Sequence, residues 1–241
     1  DSFATYITIM FQIPTNLKRF IVFAFFFAFS LHANEVRASH AAGGEIIYQW
    51  LQDSTYKITY KFYRDCSGAV APSFVPLCYT NTCTNQSYTA SLIAVSTLPD
   101  GSPNGSPVTL GCPGVGTTCT NIGSSVPGYR EWWYTANITL PSRCTEWKFA
   151  TSVSARNSSI NISSTVTDLY TEATLNNVVA QGNSSPYFSV KPVPSICINQ
   201  PYTYNNGGVD PNSDSLAFEI IMPLESTGGC PTITTPLTFV A

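Results

Sequence analysis

The chain has 241 residues, 44% hydrophobic, 13% aromatic and only 10% charged, with 17 Pro, 15 Gly, 8 Cys and 2 His. The apolar fraction excludes a disordered chain, the length allows one or two domains with real cores, and the low charge excludes the helical Ala/Glu/Lys/Leu class. A formal net charge of -3 and a pI near 5.3 exclude a basic nucleic-acid binder, so no nucleic-acid partner is expected.

The first element is a leader. Between Met10 and Ala38, Lys18 and Arg19 precede an apolar core, Phe20 to Leu31, which gives way to small residues. That order is the pattern of a secretory signal peptide, and the core is shorter than the ~20 residues of a bilayer-spanning helix. Val36-Arg37-Ala38 fits a small-x-small cleavage site, with Ala33 as a second, so the mature chain is expected to begin near Ser39. The alternative is a retained N-terminal membrane anchor. Residues 1–9 read as lying upstream of a Met10 start, and Phe239-Val240-Ala241 as the interior of a strand, so a truncated C-terminus is expected. Without the leader the 11 basic residues fall to 8 and the 14 acidic ones to 12, leaving a mildly acidic chain.

Strand periodicity then dominates. Glu45 to Leu51 and Thr55 to Tyr63 flank the turn residues Gln52-Asp53-Ser54. In the second run Tyr56, Ile58, Tyr60 and Phe62 alternate with Lys57, Thr59, Lys61 and Tyr63, which predicts a half-buried β-hairpin. Arg64 to Asn85 reads as a loop bearing Cys, Pro and Ser, and Ser87 to Val95 as a strand. Pro99 to Pro107 reads as a turn-rich connector and Cys112 to Pro127 as a second loop. Tyr134, Ala136, Ile138 and Leu140 alternate with Thr135, Asn137 and Thr139 in the strongest strand pattern. Trp147, Phe149 and Val153 mark the next strand, and Ile160 with Ile162 and then Ala173 to Val179 mark weaker ones. Gly182 to Pro194, rich in Ser and Pro, reads as a boundary. Ile196 to Tyr204, Leu216 to Met222 and Thr232 to Val240 read as opening strands of a second β-domain. The expected fold is therefore all-β, with a leader over residues 1–38, a β-sandwich over 39–185 and a partial second β-domain over 186–241.

Eight cysteines, Cys66, Cys78, Cys83, Cys112, Cys119, Cys144, Cys197 and Cys230, follow the leader. An even count in an exported chain implies disulfides, with about a hundred connectivities open. Short loops favour Cys78 with Cys83 and Cys112 with Cys119; Cys197 with Cys230 would lie inside the second domain, and Cys66 and Cys144 remain. Zinc would need close ligand pairs of the C-x-x-C kind, which are missing from the sequence.

The run Ser39-His40-Ala41-Ala42-Gly43-Gly44-Glu45, the hairpin ending in Tyr63-Arg64-Asp65-Cys66, Ile138-Thr139-Leu140-Pro141 with Cys144 and Trp147, and Ala155-Arg156-Asn157 carry a resemblance. It continues through Asn183-Ser184-Ser185-Pro186, Pro192-Val193-Pro194, Cys197-Ile198-Asn199-Gln200-Pro201 and Val209-Asp210-Pro211-Asn212-Ser213-Asp214-Ser215-Leu216. In these segments the chain resembles the N-terminal region of very large secreted surface proteins of Bacteroidetes, the family with a gliding-motility-associated C-terminal sorting domain. It departs from that pattern at Ser154-Ala155-Arg156-Asn157, where relatives often carry paired Cys. The resemblance implies type IX secretion, surface display, cadherin- or immunoglobulin-like repeats, and an adhesive or motility role with surface glycans or proteins as partners.

Three groups of residues could carry chemistry. Asp210, Asn212 and Asp214 place oxygen side chains at alternate positions, a pattern that could curl around calcium or close an Asx turn. The resemblance adds a likeness to the calcium loops of cadherin-like repeats. Among Trp132, Trp133, Tyr134 and Trp147, alternation puts Trp133 on the outward face and makes it the candidate for stacking on a sugar, with core packing expected for the others. Glu131, Glu146, Asp168 and Glu172 could supply a glycosidase-type carboxylate pair. After the leader only His40 remains, so triad and His-metal chemistry lack material and no enzyme is expected. Sequons at Asn85, Asn104, Asn137, Asn157, Asn161 and Asn183 read as chance in so Asn/Ser/Thr-rich a chain. The expected function is thus a non-catalytic, secreted or cell-surface adhesion fragment, the alternative being a glycan-binding module.

Overall fold

Period-two alternation of large apolar side chains commits this chain to antiparallel sheet. The computed structural model describes residues 41–109, 114–121, 123–154, 156–157, 161–162, 168–192, 196–199, 201–226, 228–237 and 239. The leader, His40, Cys112, Ile160 and Val240-Ala241 lie outside them. The long strands are β1 (Ala41–Gln52), β2 (Thr55–Asp65), β3 (Phe74–Asn81), β4 (Ser87–Ala94), β6 (Tyr129–Thr139), β7 (Trp147–Ser154) and β8 (Asp168–Leu175). Shorter ones are β5 (Ser106–Pro107), β9 (Tyr187–Phe188), β10 (Gly208–Val209), β11 (Leu224–Ser226) and β12 (Thr234–Pro236). Residues 37–241 cluster as one unit.

The main sheet has eight strands in the order β1-β2-β6-β4-β3-β7-β8, with β5 on β6, and every pair is antiparallel. β6 pairs β2 over its whole length but β4 only at Thr135 and Tyr134, so the sheet folds over there. The two end strands come back together: the Tyr48 hydroxyl on β1 donates to the Thr174 carbonyl on β8 at 3.1 Å. The result is all-β, a nearly closed barrel or sandwich. Inside it Tyr56, Ile58, Tyr60 and Phe62 of β2 and Tyr134 of β6 face Val75, Leu77, Leu92, Trp147 and Phe149, all of them 0–1% exposed.

Where β1 lacks a ladder partner, hydroxyls substitute for one. Ser185 Oγ accepts from Tyr48 N at 2.9 Å, Ser184 Oγ accepts from Trp50 N at 3.0 Å, and Ser185 N donates to Tyr48 O at 2.8 Å. Asn104 does the same beside β6: its Oδ1 accepts from Trp133 N at 2.8 Å while its Nδ2 donates to Val95 O at 2.9 Å. A glycan on this amide would break that arrangement.

Three expectations about elements need correction. The stretch Arg64 to Asn85 contains a full strand, β3. Pro76 reads as a breaker, yet β7 pairs β3 only from Cys78 onward, so the missing N–H of Pro76 costs no bond on that side. The strand expected over Ala173 to Val179 is shifted to β8 and ends at Leu175, because Asn176 Oδ1 accepts from the N–H groups of Val178 and Val179 and turns the chain. The described residues of Ile196 to Tyr204 and those of Leu216 to Met222 form no strand, and Ile198 and Ile220 are 88% and 101% exposed. An alternating run becomes a strand when a neighbouring edge supplies hydrogen-bond partners, and the described residues of these segments form no ladder with any strand.

The disulfides also pair differently. Cys66 joins Cys119, Cys78 joins Cys230 and Cys83 joins Cys144, across 53, 152 and 61 residues, with Cα–Cα distances of 5.1, 5.5 and 5.8 Å. Cys197 is oxidised as well. The short-loop pairs Cys78–Cys83 and Cys112–Cys119 and the pairs Cys66–Cys144 and Cys197–Cys230 are therefore overturned. Loop length describes the unfolded chain, whereas pairing needs Cα atoms within about 7 Å in the fold. β3 carries Cys78 to β4 and the C-terminal segment, while the turn after β3 carries Cys83 to the turn before β7.

Burying tyrosines has a consequence at high pH. Burial pushes the Tyr48 hydroxyl up to about 12, helped by Tyr56 and Asp210, and burial likewise raises Tyr60, Tyr63, Tyr134 and Tyr170. The unfolded chain releases these protons near pH 10, the folded chain later, so stability falls as pH rises through that interval. Cooperative unfolding between pH 10 and 12 is expected, with tyrosinate absorbance and loss of the β circular-dichroism signal coinciding. Early titration of most tyrosines within an intact fold would contradict it.

Candidate functional site

The outward face of the β1-β2-β6 layer holds the densest polar network. Cross-strand register places Glu45 opposite Lys61 and Lys61 opposite Trp133; Gly43 lies opposite Tyr63, and Tyr63 opposite Glu131. Side chains at these alternate positions share one face of the sheet. Residues 187–191 then run over them as a strap, which is why Lys61 and Glu131, outward by alternation, are only 3% and 4% exposed.

Each buried charge has partners. Lys61 Nζ lies 2.8 Å from Glu45 Oε2, donates to Phe188 O at 3.3 Å, and sits 5.2 and 5.3 Å from the ring centres of Trp133 and Tyr187. Phe188 N donates to Glu45 Oε1 at 3.0 Å, closing the strap onto β1. Lys191 Nζ bridges Glu131 Oε2 at 2.8 Å and Asp100 Oδ2 at 3.3 Å, and Trp133 Nε1 donates to Glu131 Oε1 at 2.7 Å. Partial burial would lower the Lys191 ammonium, but Glu131 and Asp100 outweigh it and hold the group above its ordinary value. Asp100 is drawn down to about 2 by the Ser102 hydroxyl and N–H, with Lys191 adding to them. Burial, then the charges of Glu131 and Glu45, push the Tyr63 hydroxyl up.

Two pockets open beside this network, each about 210 Å³ and both walled by Tyr63. The first is lined by Lys61, Glu131, Trp133, Tyr187 and Lys191, the second by Gly43, Val108, Tyr129 and Pro192. Aromatic faces beside hydrogen-bonding side chains suit binding of a polyhydroxylated ligand.

Trp133 is half-buried, with its indole N–H spent on Glu131 and Lys61 beside its ring, so it acts within a network instead of as a lone platform. Trp132 packs against the core, and Tyr134 and Trp147 are fully buried. Glu131 faces Lys191, while Glu172 pairs with Lys148 at 3.1 Å and Asp168 accepts from Ser152 Oγ at 2.9 Å. Asp168 and Glu172 are four residues apart on β8, about 13 Å along the strand, and each is held by a different partner. Glu146 lies just before β7, where its carbonyl accepts from Thr82 N at 3.2 Å.

The side chains of Asp210 and Asn212 take backbone donors, and Asp214 joins them through its N–H. Asp210 Oδ1 accepts from the N–H groups of Asn212 and Asp214 at 2.8 and 3.1 Å, Ser213 takes a φ of 66°, and Asn212 Oδ1 accepts from Ser184 N at 2.9 Å. Calcium asks for about six to eight oxygens. With Asp210 Oδ1 and Asn212 Oδ1 accepting from N–H groups, the loop is closed as an Asx turn. Among the described residues no group of three or more His, Cys, Asp or Glu side chains could hold a metal.

Comparison of the chain with protein-family models, with curated proteins and with solved structures finds no match.

Proposed function

We propose that this chain is a non-catalytic structural and adhesive module of an extracellular surface protein. Its cross-linking carries the reading: three disulfides closing loops of 53 to 152 residues tie the main sheet to its own loops and turns and to the segment around β11 and β12. Such bonds persist in oxidising compartments, where they add resistance to unfolding and proteolysis. On this reading the chain serves as an N-terminal part of a longer Bacteroidetes-type gliding-motility adhesin, followed by a cadherin- or immunoglobulin-like domain.

The second reading, glycan binding, is favoured by the aromatic pockets on the outward face. Pull-down of the oxidised protein on insoluble polysaccharides, with assay of released reducing ends, tests both readings against hydrolysis. Retention without release is expected. Release abolished by Glu131→Gln would replace adhesion with catalysis.

A further inference from the structure

The two outward pockets share more than a neighbourhood. Tyr63 walls both, and the consecutive strap residues Lys191 and Pro192 line the first and the second respectively. On β6 the pockets are marked by Trp133 and Tyr129, four residues apart and therefore about 13 Å. Gly43, opposite Tyr63, leaves the second pocket open: a Cβ there would meet its nearest atom, Tyr63 Cδ2, at 3.8 Å.

The charges say which ligand class fits. Lys61 is engaged by Glu45, and Lys191 by Glu131 and Asp100, so an ionic ligand would have to displace a resident partner. A neutral hydroxyl need displace nothing, because an ammonium has three donors and a carboxylate about four lone-pair positions, and these pairs leave some of each unused. We infer that the two pockets form one groove for an unbranched, neutral oligosaccharide, with Tyr63 as the shared wall between two subsites. This rests on the glycan-binding reading and adds to it a requirement for ligand length.

Calorimetric titration of the full oxidised chain with dimers and hexamers of neutral glucose, mannose, xylose and galactose tests it. A hexamer is expected to bind about three- to tenfold more tightly than its dimer, the size of one further aromatic contact. Tyr63→Ala and Gly43→Val, each checked for an unchanged near-ultraviolet circular dichroism spectrum, are expected to lower hexamer affinity by a similar factor. Gly43→Val fills the second pocket without removing a side chain. Equal affinities for dimer and hexamer, with no effect of Gly43→Val, would overturn the groove and leave single-pocket glycan binding standing. Binding of none of the sugars would overturn both.

Discussion

Removing the Cys83–Cys144 bridge by the double change Cys83→Ala/Cys144→Ala is expected to lower the melting temperature by about 6–12 °C. The bond closes a loop of 61 residues between the turn after β3 and the turn before β7. A disulfide of this kind contributes about 3 kcal/mol, and at this chain length each kcal/mol shifts the midpoint by about 2–4 °C. The bridge lies where the fold has most to lose: Cys144 is fully buried, its N–H donates to Asn177 Oδ1 at 2.7 Å, and Trp147 beside it is a fully buried core side chain. Removing Cys78–Cys230 should act otherwise, although its loop of 152 residues is longer. That bond ties β3 to residues around β11 and β12, which pair chiefly with each other. Its loss is expected to make residues 224–236 sensitive to protease with a smaller change in midpoint. Equal midpoint shifts for the two variants would show that the C-terminal segment belongs to the same cooperative unit as the sheet.

Lys61→Met is expected to destabilise the protein by about 3 kcal/mol, because it leaves Glu45 and the Phe188 carbonyl without their cation under the strap. The cost stems from an orphaned charge more than from the value of the pair. Glu45→Gln/Lys61→Met should therefore recover most of it, giving a coupling of about 2 kcal/mol in a double-mutant cycle measured by urea unfolding. Additive effects of the two changes would mean that Lys61 acts through packing on Trp133 and Tyr187 alone. Loss of Lys61 should also raise quenching of tryptophan fluorescence, since the strap residues 187–191 hold Trp133 half-buried.

Much of the core was legible from residue order. The alternation Tyr56, Ile58, Tyr60, Phe62 named four fully buried residues of β2, and Trp147 and Phe149 marked β7. Local pattern suffices there because a two-residue period assigns each side chain to a face whatever the strand pairs with. It assigned Lys61, Tyr63 and Trp133 to the outward face as well, but said nothing of Lys191, which meets Glu131 from 60 positions away and Asp100 from 91. No periodicity encodes that meeting; it follows from the path of the strap.

Sequence by itself determined that this is a β protein with an oxidised framework and an inward aromatic face, because strand period and cysteine count are properties of neighbours along the chain. Only tertiary structure decided the strand order, the three cysteine pairs, and the burial of Lys61 and Glu131. Each of these depends on which distant segments come within a few ångströms, and contact across the fold is set by how the sheet closes, not by spacing along the chain.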